Sequence, residues 1–192
     1  MNSTQHGLVA SLLACSLALT ALTPALAAPA KPATTAPAKP AAAATPTAPT
    51  SIGSFKSWTA WKGTDANGPI CYISSEPSSS KPDGVNRDPV HFLVVHRKGL
   101  GTKNEVQTLI GYALKKDSKP TAAIDSKTYP MIADGTGAWL ASAADEAGFV
   151  TAMKSGTNLV VKGTSQRGTS TTDTYTLAGV TAAMQAIDKA CN

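Results

Sequence analysis

Residues 90–97 read Val90-His91-Phe92-Leu93-Val94-Val95-His96-Arg97, the most apolar run in the chain beyond residue 50. A continuous apolar run of this length is typical of a strand that is buried on both faces at the centre of a sheet. His91 and His96 are five residues apart, and an odd spacing places them on opposite faces of a strand. Because the sequence beyond residue 50 has no other histidine and no clustered cysteines, we predict no metal site.

Shorter β patterns lie on both sides of this run, so the chain is predicted to be mostly β. Phe55–Trp61 alternates and is interpreted as one strand, in which Trp58 and Trp61 face opposite sides because they are three residues apart. The dipeptide Asp125-Ser126 separates two short strands and predicts a tight hairpin. Further strands are predicted at residues 71–74, 106–114, 121–124, 127–132, 158–163 and 173–177.

Two helices are predicted within the β pattern. The first begins near Ser142, at a sequence that resembles a capping box, and ends before Gly156. The last covers residues 180–190 and carries one apolar stripe, which must pack on the sheet. The stripe has the spacing i, i+3, i+4 and i+7 and consists of Val180, Ala183, Met184 and Ile187.

The chain divides into three parts. Residues 1–27 are interpreted as a cleaved signal peptide rather than a retained anchor, because Ala25-Leu26-Ala27 supplies a cleavage site after a short apolar run. Residues 28–50 contain only Ala, Pro, Thr and Lys and are predicted to be a disordered spacer. Residues 51–192 are long enough for one domain with one core.

Cys15 follows Leu12-Leu13-Ala14, which resembles a lipid-acylation motif. The residues after Cys15 stay apolar, so we interpret it as part of the signal core. Lipid anchoring at Cys15 is the alternative.

The charge distribution excludes one class of partner. The chain has 17 basic and 12 acidic residues, and beyond residue 50 the count is 15 basic against 12 acidic, a net charge of +3. The basic residues form no run along the sequence and have no interleaved aromatic residues. We therefore expect no nucleic-acid partner and only weak, unspecific attraction to anionic cell surfaces.

The sequence contains no recognisable catalytic pattern. No G-x-S-x-G motif occurs, Asp145 and Glu146 are adjacent and point in different directions, and the loop charges Asp83, Arg87 and Asp88 are expected to be solvated. We predict a protein that is not an enzyme and has no cofactor. A pair of glycosidase carboxylates from distant strands stays open, because sequence spacing does not reveal such pairs.

Cys71 and Cys191 are the only cysteines after the signal. In an exported chain they are predicted to form one structural disulfide. The alternative is a free reactive thiol, which would need an activating base nearby.

The polar, glycine-bearing loop at residues 163–172 is the best candidate for a partner-binding surface, since binding residues often lie on such loops. Lys162, Arg167 and Thr169 are its candidate contact residues, and Trp58 is added as an aromatic anchor. An ordinary long hairpin would have the same composition. For each tryptophan, packing in the core is favoured over binding.

Six segments carry a family resemblance through their order and spacing. They are Phe55-Lys56-Ser57-Trp58-Thr59-Ala60-Trp61, Cys71-Tyr72-Ile73-Ser74-Ser75-Glu76-Pro77, Ile132-Ala133-Asp134-Gly135-Thr136-Gly137-Ala138-Trp139, Met153-Lys154-Ser155-Gly156, the stretch from Val161 to Tyr175, and Ala186-Ile187-Asp188-Lys189-Ala190-Cys191. Together they resemble the invasion-associated locus B family of exported bacterial proteins. The resemblance implies a β-sandwich-like domain and a link to bacterial attachment to, or entry into, host cells. It implies no catalytic residues.

Two functions are expected from these observations. The first is a non-enzymatic protein of the periplasm or envelope of a Gram-negative-type bacterium, or a secreted one, that binds an envelope or host protein. The second is a module that binds or cleaves a cell-wall or host glycan. The second function needs an exposed aromatic platform or a carboxylate pair in a groove.

Overall fold

The computed structural model of the chain describes residues 45–191. The predictions for the signal peptide, for Cys15 and for most of the spacer lie outside these residues. The described strands are β1 (Thr47–Phe55), β2 (Trp58–Asp65), β3 (Gly68–Ser75), β4 (Ser79–Lys81), β5 (His91–Arg97), β6 (Thr102–Leu109), β7 (Thr121–Ile124), β8 (Lys127–Asp134), β9 (Gly137–Leu140), β10 (Asn158–Thr164) and β11 (Ser170–Thr176). The helices are α1 (Ala143–Ser155) and α2 (Val180–Ala190), and a 3-10 turn covers Lys98–Leu100.

The described strands form one sheet in the order β1-β2-β3-β5-β6-β9-β8-β7-β10-β11-β4, and each pairing is antiparallel. The two halves of the sheet face each other across a shared core. Phe92 of β5 contacts Tyr175 of β11 with ring centroids 5.7 Å apart. The indole N–H of Trp58 on β2 donates to the carbonyl of Thr176 on β11 at 3.0 Å. The prediction of a mostly β, sandwich-like domain is therefore confirmed.

The apolar run at residues 90–97 lies where its composition predicts. β5 sits between β3 and β6, in the interior of the sheet. Phe92 and Val94 are completely buried, and Val95 on the opposite face is also buried. The Phe92 ring contacts three other aromatic rings, so one residue joins strands from both halves of the sheet to α1. These rings belong to Trp58, Phe149 and Tyr175.

Helix α2 packs on the sheet through its predicted stripe. Val180, Ala183, Met184 and Ile187 are its buried residues, and the helix contacts β1, β2, β3 and α1. Cys191, directly after α2, is disulfide-bonded to Cys71 of β3 with a Cα–Cα distance of 6.0 Å. The predicted disulfide is confirmed.

A hydrogen bond adds to the attachment of α2. His96 lies next to Cys71 across the β3–β5 ladder, and its Nε2 is 3.0 Å from the carboxylate of Asp188 on α2. Its Nδ1 accepts the backbone N–H of Asn104 at 3.2 Å. Because Nδ1 is an acceptor, Nε2 carries the proton and donates to Asp188. Both ring nitrogens of this buried histidine therefore have structural partners.

Two sequence interpretations are corrected by the structure. Phe55–Trp61 is not one strand, because β1 ends at Phe55 and β2 begins at Trp58. Lys56 adopts a left-handed conformation with φ 54° in the tight turn between them. The domain also begins earlier than residue 51, since β1 starts at Thr47 within the expected spacer.

Candidate functional site

A half-open cleft of about 440 Å³ lies at one end of the described domain. Three separate segments form it: the loop between β4 and β5, the segment between β6 and β7, and the hairpin that joins β10 to β11. The lining residues are Val85, Asn86 and Arg87, then Tyr112 and Ala113, then Ser165, Gln166, Arg167, Thr169 and Thr171. Eight of the ten lining residues carry a hydroxyl, amide or guanidinium group, so the cleft offers several hydrogen-bonding partners to a ligand.

Arg87 fixes one wall of the cleft to the sheet. Its guanidinium binds the carboxylate of Asp173 on β11 with both terminal nitrogens, and Nη1 lies 2.9 Å from Oδ2. The Ser80 hydroxyl of β4 donates to the same carboxylate at 2.7 Å. The side chain of Arg87 is 8% exposed and that of Asp173 is 0% exposed. The hydrogen bonds to Asp173 raise the pKa of Arg87, so the guanidinium stays charged and paired.

Arg87 was expected to be a solvated loop charge, and that expectation is wrong. Its partner Asp173 lies 86 residues away in sequence, so the local composition of the loop carries no sign of the pair. Burial is possible because each charge has an opposite charge within hydrogen-bonding distance.

A second polar contact forms the floor of the cleft. The hydroxyls of Tyr112 and Thr171 are 2.6 Å apart. Burial raises the pKa of Tyr112, so the phenol is neutral at physiological pH and can both donate and accept a hydrogen bond.

The hairpin between β10 and β11 is held in place by its backbone. The N–H of Ser165 donates to the carbonyl of Thr169 at 2.9 Å, and Gly168 turns the chain with φ 86°. The N–H of Gln166 donates to the carbonyl of Ala113 at 3.0 Å. These bonds attach the hairpin tip to the segment between β6 and β7, so the cleft has a defined shape.

The structure separates the four candidate contact residues. Arg167 and Thr169 line the cleft. Lys162 is exposed on β10, beside but outside the lining. Trp58 is 0% exposed in the core, so its assignment to a binding surface is a correction: the ring is packed against Phe92 and its N–H is bonded to Thr176.

The other two tryptophans are more exposed than Trp58. Trp61 is partly exposed on the face opposite Trp58, as the spacing predicts. Its ring stacks on Tyr72 with centroids 6.1 Å apart and planes 17° apart, and its N–H donates to the Ser74 hydroxyl at 2.9 Å. Trp139 is also partly exposed.

A shallower cleft shares Val85 and Arg87 with the first. Three carboxylates line it, those of Glu76, Asp83 and Asp88. Asp83 is paired with the ammonium of Lys81. The loop between β4 and β5 therefore has a polar cleft on one side and a more acidic one on the other.

The chemistry available at the first cleft is hydrogen bonding and charge pairing. Within residues 45–191, no three His, Cys, Asp or Glu side chains are grouped so that they could hold a metal ion. No helix in this part of the chain is long and apolar enough to cross a membrane.

Residues 45–191 thus define a disulfide-closed, antiparallel β domain with a helix sealing one side of its core and a polar cleft at one end. A family model described as "Invasion associated locus B (IalB) protein" matches residues 58–188. Since the match covers more than half of its length, the chain belongs to the invasion associated locus B family.

Comparison with solved structures finds a similar chain, the crystal structure of invasion associated protein B from Bartonella henselae. The two are 12% identical, with a TM-score of 0.49, and the similarity covers 71% of this chain and 97% of that one. The comparison with curated protein sequences finds no match.

Proposed function

We propose that this protein is a non-enzymatic interaction protein, exported to the periplasm or envelope of a Gram-negative-type bacterium or secreted from it. Its partner is an envelope or host-cell protein bound at the cleft around Tyr112 and Arg167. Attachment to host cells or entry into them is the role that the family description suggests. The disulfide is consistent with an oxidising compartment.

The observation that carries this proposal is the braced polar cleft. Arg87 and Asp173 fix one wall, and the backbone bond from Gln166 to Ala113 fixes the other. A preformed site loses less conformational entropy on binding than a loop that must first become ordered. The guanidinium of Arg167 lines the cleft and belongs to no salt bridge among residues 45–191, and it is the type of side chain that often anchors a protein partner.

Site-specific photo-crosslinking in the native envelope tests the proposal. A photoreactive residue at Gln166, which lines the cleft, is expected to capture a defined protein. The matched control is the same residue at Gln185, which is exposed on α2 outside the cleft. The same adducts from both positions, or adducts from Gln185 alone, would contradict a binding site at the cleft.

A glycan-binding or glycan-cleaving module is the second proposal. It is supported by the partly exposed rings of Trp61, Tyr72 and Trp139 and by the carboxylates of the shallower cleft. Trp61 and Tyr72 stack on each other, which leaves less ring surface for a sugar. Binding of a neutral cell-wall glycan that is lost in Trp139→Ala, or hydrolysis lost in Asp88→Asn, would favour this module over the protein-binding one.

A further inference from the structure

Five exposed cationic residues lie on two separate segments that the fold places side by side. They form what we call the basic face, which consists of Lys115, Lys116, Lys119, Lys162 and Arg167. The sequence suggests dispersed charge, because more than 40 residues separate Lys119 from Lys162. The fold removes that separation.

Backbone pairing holds the two segments together. The N–H of Lys115 donates to the carbonyl of Thr164 at 2.9 Å, and the residues beside them, Leu114 and Ser165, form a bridge. Lys162 pairs with Thr121, two residues beyond Lys119. Neighbouring strands lie about 5 Å apart and alternate residues about 7 Å apart, so the backbones that carry the five exposed cations are adjacent.

The basic face carries few carboxylates of its own. All five residues are exposed, and none belongs to a salt bridge among residues 45–191. The only carboxylate in these two segments is that of Asp117. Residues 115–119 and 162–167 together carry a local net charge of +4, while three carboxylates line the shallower cleft nearby.

We propose that the basic face binds an anionic polysaccharide chain. The cleft directly beside it presents the groups that pair with sugar hydroxyls, including the Tyr112 and Thr169 hydroxyls and the Gln166 amide. Four of the five cations are lysines, whose rotatable ammonium groups suit irregularly spaced sulfate or carboxylate substituents better than one fixed bidentate pair. The combination fits a hydroxyl-rich chain that carries negative charge.

Two other polyanions fit less well. An extended acidic peptide gains affinity by pairing with a free strand edge, whereas β10 is paired on both sides, with β7 and β11. An anionic membrane surface is usually also anchored by inserted apolar side chains. Of the exposed large apolar residues among 45–191, Val85 alone lines the cleft beside the basic face.

The test measures binding of the protein, produced from the full chain, to heparin as the probe polysaccharide. The variant Lys115→Gln/Lys116→Gln/Lys119→Gln removes three charges outside the cleft lining. Its dissociation constant at physiological salt is expected to rise about tenfold or more, with a weaker dependence of affinity on salt. The matched control, Lys56→Gln/Lys62→Gln/Lys154→Gln, removes the same charge from exposed positions elsewhere and is expected to change affinity less than about twofold.

Two further probes, polyglutamate and phosphatidylglycerol vesicles, separate the classes of ligand. Heparin binding that is stronger than binding to either probe and is sensitive to the first variant supports the proposal. If both triple variants weakened heparin binding equally, the effect would come from net charge alone, and the proposal would be overturned. Tighter binding to polyglutamate or to vesicles would overturn it in favour of an acidic protein or a membrane. The three substituted lysines do not line the cleft, so unchanged heparin binding in this variant and a failure of crosslinking at Gln166 are distinguishable results.

Discussion

Two ion pairs near the cleft differ in burial, and their energies should differ accordingly. Arg87–Asp173 is almost fully buried, at 8% and 0% side-chain exposure, whereas Lys81–Asp83 is 66% and 78% exposed. Removing one partner of a buried pair leaves the other charge without compensation. An exposed pair loses little, because water replaces the partner.

We therefore expect Arg87→Met to lower the free energy of unfolding by about 3 to 5 kcal/mol. The matched variant Lys81→Met should lower it by less than about 1 kcal/mol. Urea denaturation of the two variants and the parent chain measures both values. Similar losses for the two variants would mean that the Arg87 pair does not brace the cleft wall.

The two tryptophans of β2 give a second contrast at the same scale. Trp58→Ala removes a completely buried ring and is expected to cost about 3 to 5 kcal/mol of unfolding free energy. Trp61→Ala removes a partly exposed ring whose main contact is the stack on Tyr72, and such pairs contribute about 0.5 to 1.5 kcal/mol beyond burial. A larger loss for Trp61→Ala than for Trp58→Ala would contradict the assigned faces.

Glu146 links stability to pH. Burial raises the pKa of its carboxyl group above its ordinary value, against the weaker effect of the Val106 N–H, which donates to it at 3.4 Å. A raised pKa in the folded state means that the folded protein binds this proton more tightly than the unfolded chain does. The destabilising effect of the charge is therefore absent below the unfolded pKa and complete above the folded pKa.

The variant Glu146→Gln removes the charge and keeps an amide oxygen that can accept the same N–H. Its melting temperature is expected to exceed that of the parent at pH 7, with a smaller difference at pH 4. Thermal unfolding at both pH values measures this, with Asp145→Asn as the control, since Asp145 is the exposed neighbour. A difference independent of pH would show that the carboxyl burial is not the cause.

At the scale of single elements, α2 tests whether its apolar stripe seals the core. Met184 is completely buried and Gln185, the next residue, is exposed. Met184→Ala is expected to cost about 2 to 5 kcal/mol of unfolding free energy, and Gln185→Ala to stay within about 0.5 kcal/mol. Chemical denaturation gives both values. Equal losses of unfolding free energy for the two variants would contradict the assignment of Met184 to the buried stripe.

The elements that the sequence predicts well are those with strong periodicity. The stripe of α2 and the apolar run of β5 can be predicted from residues that are close together in sequence. The β7–β8 hairpin was also predicted, and Asp125 at its turn adopts φ 49°, which Asp tolerates better than most residues. The sequence does not predict the β1–β2 hairpin, because its turn, Lys56-Ser57, contains no Gly, Pro, Asn or Asp and the alternation continues through it.

The cleft is formed by three segments that are distant in sequence, so the sequence predicts only part of it. Arg167, Thr169 and Thr171 all lie in the loop predicted at residues 163–172, but Arg87 and Tyr112 reach the cleft from segments that are distant in sequence. The basic face was missed for the same reason. Linear charge patterning describes neighbours along the chain, whereas the surface potential depends on neighbours in space.

The disulfide is the largest single constraint on the whole domain. Cys71 and Cys191 are 120 residues apart, and on the chain-entropy model a loop of this length contributes about 4 to 5 kcal/mol. The double variant Cys71→Ala/Cys191→Ala is expected to lose that amount in guanidinium denaturation. A loss below about 1 kcal/mol would mean that the constraint acts weakly on the unfolded chain.

The position of β4 has a consequence for the timing of folding. This strand comes fourth along the chain yet occupies the last place in the sheet, where Ser80 meets Asp173 across 93 residues. Local hairpins can form early, while contacts of such high sequence separation form late and slow folding.

The disulfide partners are also made at different times. Because a chain emerges with its N-terminus first, the thiol of Cys71 has no partner until Cys191 has emerged. If the chain is exported as proposed, oxidising enzymes can react during that interval with a cysteine that the finished fold completely buries.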